Sequence, residues 1–126
     1  MKYYIVIPSY NEEALIGLTL QSLISQTVLP SKIVVVNDNS TDRTAEVVLE
    51  FAKNNPYINL VNKSSENIHL PGSKVIQAFE KGFETLDDNY DLIVKIDADL
   101  IFPTNYFETI IKHFQSDKRI GMVGGF

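Results

Sequence analysis

Cysteine is absent from the 126-residue sequence, and its absence removes disulfides, thiolate metal sites and cysteine nucleophiles together. Long apolar runs are missing too. Nothing approaches the roughly 20 residues of a membrane span, and the N-terminal stretch Tyr4-Ile5-Val6-Ile7 meets Pro8 too early for a signal peptide. A cytoplasmic location is the expectation, at the membrane surface if a longer parent carries an anchor. Positive charge is scarce: 11 Lys and Arg face 16 Asp and Glu, a formal net charge of −5. That balance offers no basic face to a nucleic-acid polymer, although a metal or backbone N–H groups can still hold a small anion. Two phosphate-binding signatures are also lacking. No G-x-G-x-x-G follows the first apolar run, and no G-x-x-x-x-G-K-[ST] occurs anywhere.

The length suits a single domain over residues 1–126 with one core. Tyr4 to Ile7 is a continuous apolar run, as expected of a strand buried on both faces of a parallel sheet. A helix is expected from about Glu12 to Gln26, capped at Ser9 or Asn11, with Leu15, Leu18, Leu20, Leu23 and Ile24 on its apolar side. Ile33-Val34-Val35-Val36 is the clearest strand, because four β-branched residues stand in a row. A second helix follows, with Ser40 or Thr41 as its cap and Asp42 in its first turn, and Asn54-Asn55-Pro56 stops it. A third strand is expected at Ile58 to Val61, and 62–71 reads as an irregular loop carrying His69. A helix from Gly72-Ser73, a strand over Leu92–Ile96, a helix starting around Phe102–Asn105 and a last strand over 120–126 complete the chain. Strands alternating with helices predict an α/β fold with a mostly parallel sheet flanked by helices.

The centre of this pattern is Asp97-Ala98-Asp99, which follows directly on the strand Leu92–Ile96. Two carboxylates one residue apart repel each other unless a cation or a ligand's donors lie between them. Oxygen-only ligands select a hard divalent ion, Mg²⁺ or Mn²⁺, whose open positions accept phosphate oxygens. Strand C-termini of a parallel sheet share one edge, outside which ligands bind. Ser9-Tyr10-Asn11-Glu12, Asn37-Asp38-Asn39-Ser40 and Asp97-Ala98-Asp99 all end predicted strands, so they converge there. If the ligand is a nucleotide, Asp38 is placed to accept from a base N–H and Asp97 from ribose hydroxyls. Asp99 is then left for the metal and diphosphate.

Pro8-Ser9-Tyr10-Asn11-Glu12, Val36-Asn37-Asp38-Asn39-Ser40-Thr41-Asp42 and Asp97-Ala98-Asp99 resemble the three ordered motifs of the family 2 inverting glycosyltransferases. The resemblance covers nearly the whole chain. It implies the GT-A (nucleotide-diphospho-sugar transferase) fold, a nucleotide-diphosphate sugar donor, usually a UDP-sugar, and a divalent metal, Mn²⁺ or Mg²⁺. By the same resemblance Pro8, Tyr10 and Glu12 line the nucleotide pocket and Asp38 contacts the base. Asp97 faces the ribose or sugar, Asp99 ligates the metal, and Lys74 matches a basic residue that approaches the donor. Asn37 and Glu80 depart from the pattern, where the family commonly has Asp and Asn.

In that family the general base and the acceptor-binding residues lie downstream of the Asp-x-Asp, at a distance this sequence does not reach. The chain is therefore expected to be the donor-binding part of a longer enzyme of cell wall or polysaccharide synthesis, and its uncovered apolar edge to favour self-association. Two other readings use the same residues. One is a non-catalytic nucleotide-sugar-binding module. The other is a HAD-like phosphatase with Asp97 as nucleophile, although that motif normally follows the first strand and continues with Thr or Val where Ile101 stands. His113 is expected to serve packing or the surface.

Overall fold

A computed structural model of the protein describes residues 1–63, 73–116 and 123–125; of Ser73, Lys74, Val75, Ser116 and residues 123–125 it describes the backbone alone. His69 and the two ends of the expected last strand lie outside the described residues. The elements run β1 (Tyr3–Ser9), α1 (Ile16–Ile24), β2 (Lys32–Asp38), α2 (Thr44–Asn54), β3 (Ile58–Lys63), α3 (Ser73–Glu84), β4 (Leu92–Ile96), α4 (Tyr106–Ser116) and β5 (Val123–Gly125). The strands form one sheet in the order β3-β2-β1-β4-β5, and every pair is parallel.

The continuous apolar runs of β1, β2 and β4 form the interior because both faces of their sheet are covered. Tyr3, Ile5, Ile7, Ile33, Val35, Val94 and Ile96 face one layer, where Ile16, Leu20 and Leu23 of α1, Val48 of α2 and Phe107, Ile111 and Phe114 of α4 complete the larger core. Val6, Val34 and Val36 face the other way, against Ala78 of α3. The chain steps outward from β1 to β3 and then crosses back over β1 to β4. That reversal puts α3 on the opposite face from α1 and α2, as right-handed crossovers require.

The same reversal opens the sheet. β1 stays in register with β2 as far as Ser9 opposite Asn37. Its pairing with β4 ends earlier, at Val6 opposite Lys95. Pro8, which has no N–H to give, sits beyond that last pair, where the ladder loses nothing by it. A crevice therefore begins between the C-terminal ends of β1 and β4, at the topological switch point.

Two helices begin later than their sequence patterns indicate. The segment from Glu12 to Leu15 forms a turn, with Leu15 N–H and Ile16 N–H both donating to the Glu12 carbonyl at 3.1 and 2.8 Å. The first helix starts at Ile16 and its N-cap, Leu15, makes no side-chain capping bond. The acid-rich stretch has other obligations: Asn11, Glu12 and Glu13 direct their N–H groups to side chains of the β2–α2 loop. Likewise α2 begins at Thr44 rather than after a Ser40 or Thr41 cap, and the Asp42 carboxylate accepts from Thr44 N–H at 2.9 Å. No helix among the described residues is long and apolar enough to cross a membrane.

Candidate functional site

The ends of β1, β2 and β4 enclose a cleft of about 500 Å³, lined by Pro8, Ser9, Tyr10, Glu12, Asp38, Ala78, Asp97, Ala98 and Asp99. A cleft of this size is in the range that holds a small organic ligand. All three polar clusters meet in it. Of the residues singled out in the sequence, Pro8, Tyr10, Glu12, Asp38, Asp97 and Asp99 are together on its wall. Lys74 stands in the first turn of α3, and its side chain is outside the described residues.

The Asp97-Ala98-Asp99 turn is held at its middle. Ala98 is 4% exposed and belongs to the main core. Its carbonyl accepts a hydrogen bond of 2.9 Å from the buried hydroxyl of Thr19 on α1. With the central residue anchored below, the two flanking carboxylates stand exposed at the cleft. Lys95 Nζ lies 3.8 Å from Asp97 Oδ1. Asp38, the last residue of β2, is buried at the cleft wall with Lys63 Nζ 3.9 Å from its Oδ1. Tyr10, by contrast, is 58% exposed where it lines the cleft.

The field in the cleft is negative. Burial raises the Glu12 carboxyl above its ordinary pKa, and the charges of Asp99, Asp42 and Asp97 raise it further. A site in which burial, and after it three neighbouring carboxylates, disfavour the ionisation of one acid attracts cations and hydrogen-bond donors. Asp97 and Asp99 are exposed hard-oxygen donors. Among the described residues no group of three His, Cys, Asp or Glu side chains could hold a metal ion by itself. Mg²⁺ and Mn²⁺ do not need one when a ligand's phosphate oxygens complete the shell. The donor set therefore fits a metal that arrives with a diphosphate.

Three contributors carried no signal in the sequence, or a different one. Ala78 reaches the cleft only because α3 crosses to the far face of the sheet, which no local pattern reveals. Thr19 looks like an ordinary helix residue. Ser9 stands in the first motif, and its hydroxyl is buried with no hydrogen-bond partner among the described residues. The residues that depart from the family pattern are accounted for differently. Asn37 donates to Asn62 Oδ1 at 3.0 Å and accepts from Ser40 N–H at 3.3 Å, so it shapes the β2–α2 loop. Glu80 is exposed on α3, away from the cleft wall.

The parallel α/β sheet with an acidic cleft at its switch point matches the GT-A fold, and solved structures share it. S. aureus TarS 1-349, in complex with UDP-GlcNAc, superposes with a TM-score of 0.68 at 25% identity over 94% of this chain and 32% of that one. A mannosyltransferase, PcManGT from Pyrobaculum calidifontis, in complex with GDP-Man and Mn²⁺, gives 0.61 at 25% identity over 81% of this chain and 28% of that one. The model of glycosyl transferase family 2 matches residues 4–126, and the chain belongs to that family. Chondroitin synthase of Pasteurella multocida is 30% identical over 119 residues, covering 94% of this chain and 11% of the relative. The chain thus spans about a tenth of that relative's length and about a third of the solved structures.

Proposed function

We propose that the chain binds a nucleotide-diphosphate sugar, a UDP-sugar by preference, as the donor-binding part of an inverting glycosyltransferase of polysaccharide synthesis. The observation that carries this reading is the meeting of Tyr10, Glu12, Asp38, Asp97 and Asp99, from three separate strand ends, in one cleft of about 500 Å³. UDP-GlcNAc in the TarS complex and GDP-Man with Mn²⁺ in the mannosyltransferase support the ligand class.

In this reading the nucleobase lies against the exposed Tyr10 ring, and a base N–H donates to Asp38. The Asp97 carboxylate accepts from ribose or sugar hydroxyls. Asp99 would hold a divalent ion, Mn²⁺ or Mg²⁺, that accompanies the diphosphate. When bound, that ion supplies positive charge against the negative charge of the departing nucleotide diphosphate. The acceptor hydroxyl attacks the anomeric carbon from the face opposite the leaving group, and a general base takes its proton. The residue that serves as base is expected outside this chain's cleft.

Calorimetric titration of UDP, GDP and dTDP into the folded protein with Mn²⁺ present tests the reading. Saturable binding strongest for UDP is the expected result. A protein that is folded by circular dichroism and binds none of the three contradicts it.

A further inference from the structure

The β1–α1 loop is tied to the β2–α2 loop by a set of side-chain hydrogen bonds to its backbone. Glu12 N–H donates to Thr44 Oγ1 at 2.9 Å. The Thr44 hydroxyl donates in turn to Asp42 Oδ1, and the other oxygen of Asp42 accepts from Glu13 N–H at 3.2 Å. Asn11 adds a bond in each direction: its N–H donates to Ser40 Oγ at 3.0 Å, and its Oδ1 accepts from Thr41 N–H at 2.8 Å.

Two asparagines, Asn11 and Asn39, have positive φ values of 49° and 60°. This left-handed conformation is tolerated by Asn better than by most residues. One lies in each of the two loops, and the Asn11 turn brings three consecutive N–H groups, from Asn11 to Glu13, against the partner loop. Asp42 is fully engaged here, since both its oxygens accept. Thr44 is completely buried.

We infer that Thr44 and Asp42 are positioning residues of the donor site: they clamp the loop that carries Tyr10 and Glu12 to the loop that follows Asp38, and so keep the cleft in its binding shape before ligand arrives. The inference rests on the donor-site reading above for its functional consequence and on the hydrogen bonds alone for the clamp. Asp42 is not on the cleft wall, and its oxygens accept from Thr44 N–H and the Thr44 hydroxyl of its own segment and from Glu13 N–H of the partner loop. Preorganisation of this kind acts on affinity, because the unclamped loop must be ordered when ligand binds.

The test compares wild type with Thr44→Val, which keeps the shape and removes the hydroxyl, and with Thr44→Ser, which restores it. Two quantities are measured on the full chain: hydrogen exchange of the Glu12 amide without ligand, and UDP affinity with Mn²⁺. Thr44→Val is expected to exchange the Glu12 amide faster and to bind UDP roughly tenfold more weakly, with both effects reversed in Thr44→Ser. Unchanged exchange overturns the clamp. Faster exchange with unchanged UDP affinity overturns the positioning role. If wild type itself binds no UDP, the donor-site reading fails, and the exchange comparison alone decides the clamp. Should Thr44→Val not fold, Asp42→Ala serves instead: it removes the acceptor of Glu13 N–H, so faster exchange at Glu13 with weaker UDP binding is expected, and wild-type behaviour in both overturns the inference.

Discussion

At the scale of single residues, stability and binding draw on different chemistry at opposite edges of the sheet. Near the N-terminal ends of the strands, the Asp87 carboxylate accepts from Lys32 Nζ at 2.8 Å, from the Tyr4 hydroxyl at 2.6 Å and from Asn89 N–H at 2.9 Å. The Lys32 bond above all, then the Tyr4 and Asn89 bonds, hold Asp87 well below the usual carboxylate range. A group depressed in this way contributes stability above its unfolded pKa of about 3.9 and loses that contribution as pH falls toward the folded value. Asp87→Asn is therefore expected to lower Tm at pH 7 but to narrow the Tm difference between pH 7 and pH 3, as followed by thermal melts. An undiminished pH difference would contradict the assignment. At the cleft edge, the role proposed for Tyr10 lies in its ring. Tyr10→Ala is expected to weaken UDP binding by about 0.5–1.5 kcal/mol, the value of an aromatic pair beyond its burial, while Tyr10→Phe retains it. Equal affinity in all three proteins by titration calorimetry would remove the stacking.

At the scale of elements, α3 decides how closely the cleft floor is built. A Cβ at Gly82 would lie 2.7 Å from Val6 Cγ1 and 2.8 Å from Val36 Cγ2. These methyls belong to β-branched side chains with restricted χ1, in strands that cannot retreat. Gly82→Ala is expected to cost about 1–3 kcal/mol, read from urea unfolding, and to weaken UDP binding because Ala78, one turn earlier, moves with the helix. Wild-type stability would show that α3 has room to shift. This helix also marks the limit of what the sequence discloses. Runs such as Ile33–Val36 identify buried parallel strands by composition, and the expected strand Leu92–Ile96 has the observed bounds. The helix periods of α2, α3 and α4 were legible for the same reason. The start of α1 was not, because Glu12 and Glu13 resemble a helix N-terminus while their N–H groups bond to residues some 30 positions away. The motifs singled out six of the nine residues that line the cleft: Pro8, Tyr10, Glu12, Asp38, Asp97 and Asp99. Ala78 and Thr19 escaped because tertiary placement alone gives them their roles.

At the scale of the whole molecule, one rule joins the three motifs: strand ends of a parallel sheet share an edge, and the β1–β4 divergence at the switch point turns that edge into a cleft. Membership of glycosyl transferase family 2 follows from residues 4–126 as a unit. The function proposed for that unit depends on a divalent ion held between Asp99 and a diphosphate. The most direct measurement is calorimetric titration of UDP into wild type and Asp99→Ala, each with Mn²⁺ and with EDTA. The account predicts UDP binding by wild type with Mn²⁺, and its loss both in EDTA and in a folded Asp99→Ala protein. Binding that survives EDTA and the substitution alike would contradict a metal-bridged diphosphate at Asp99.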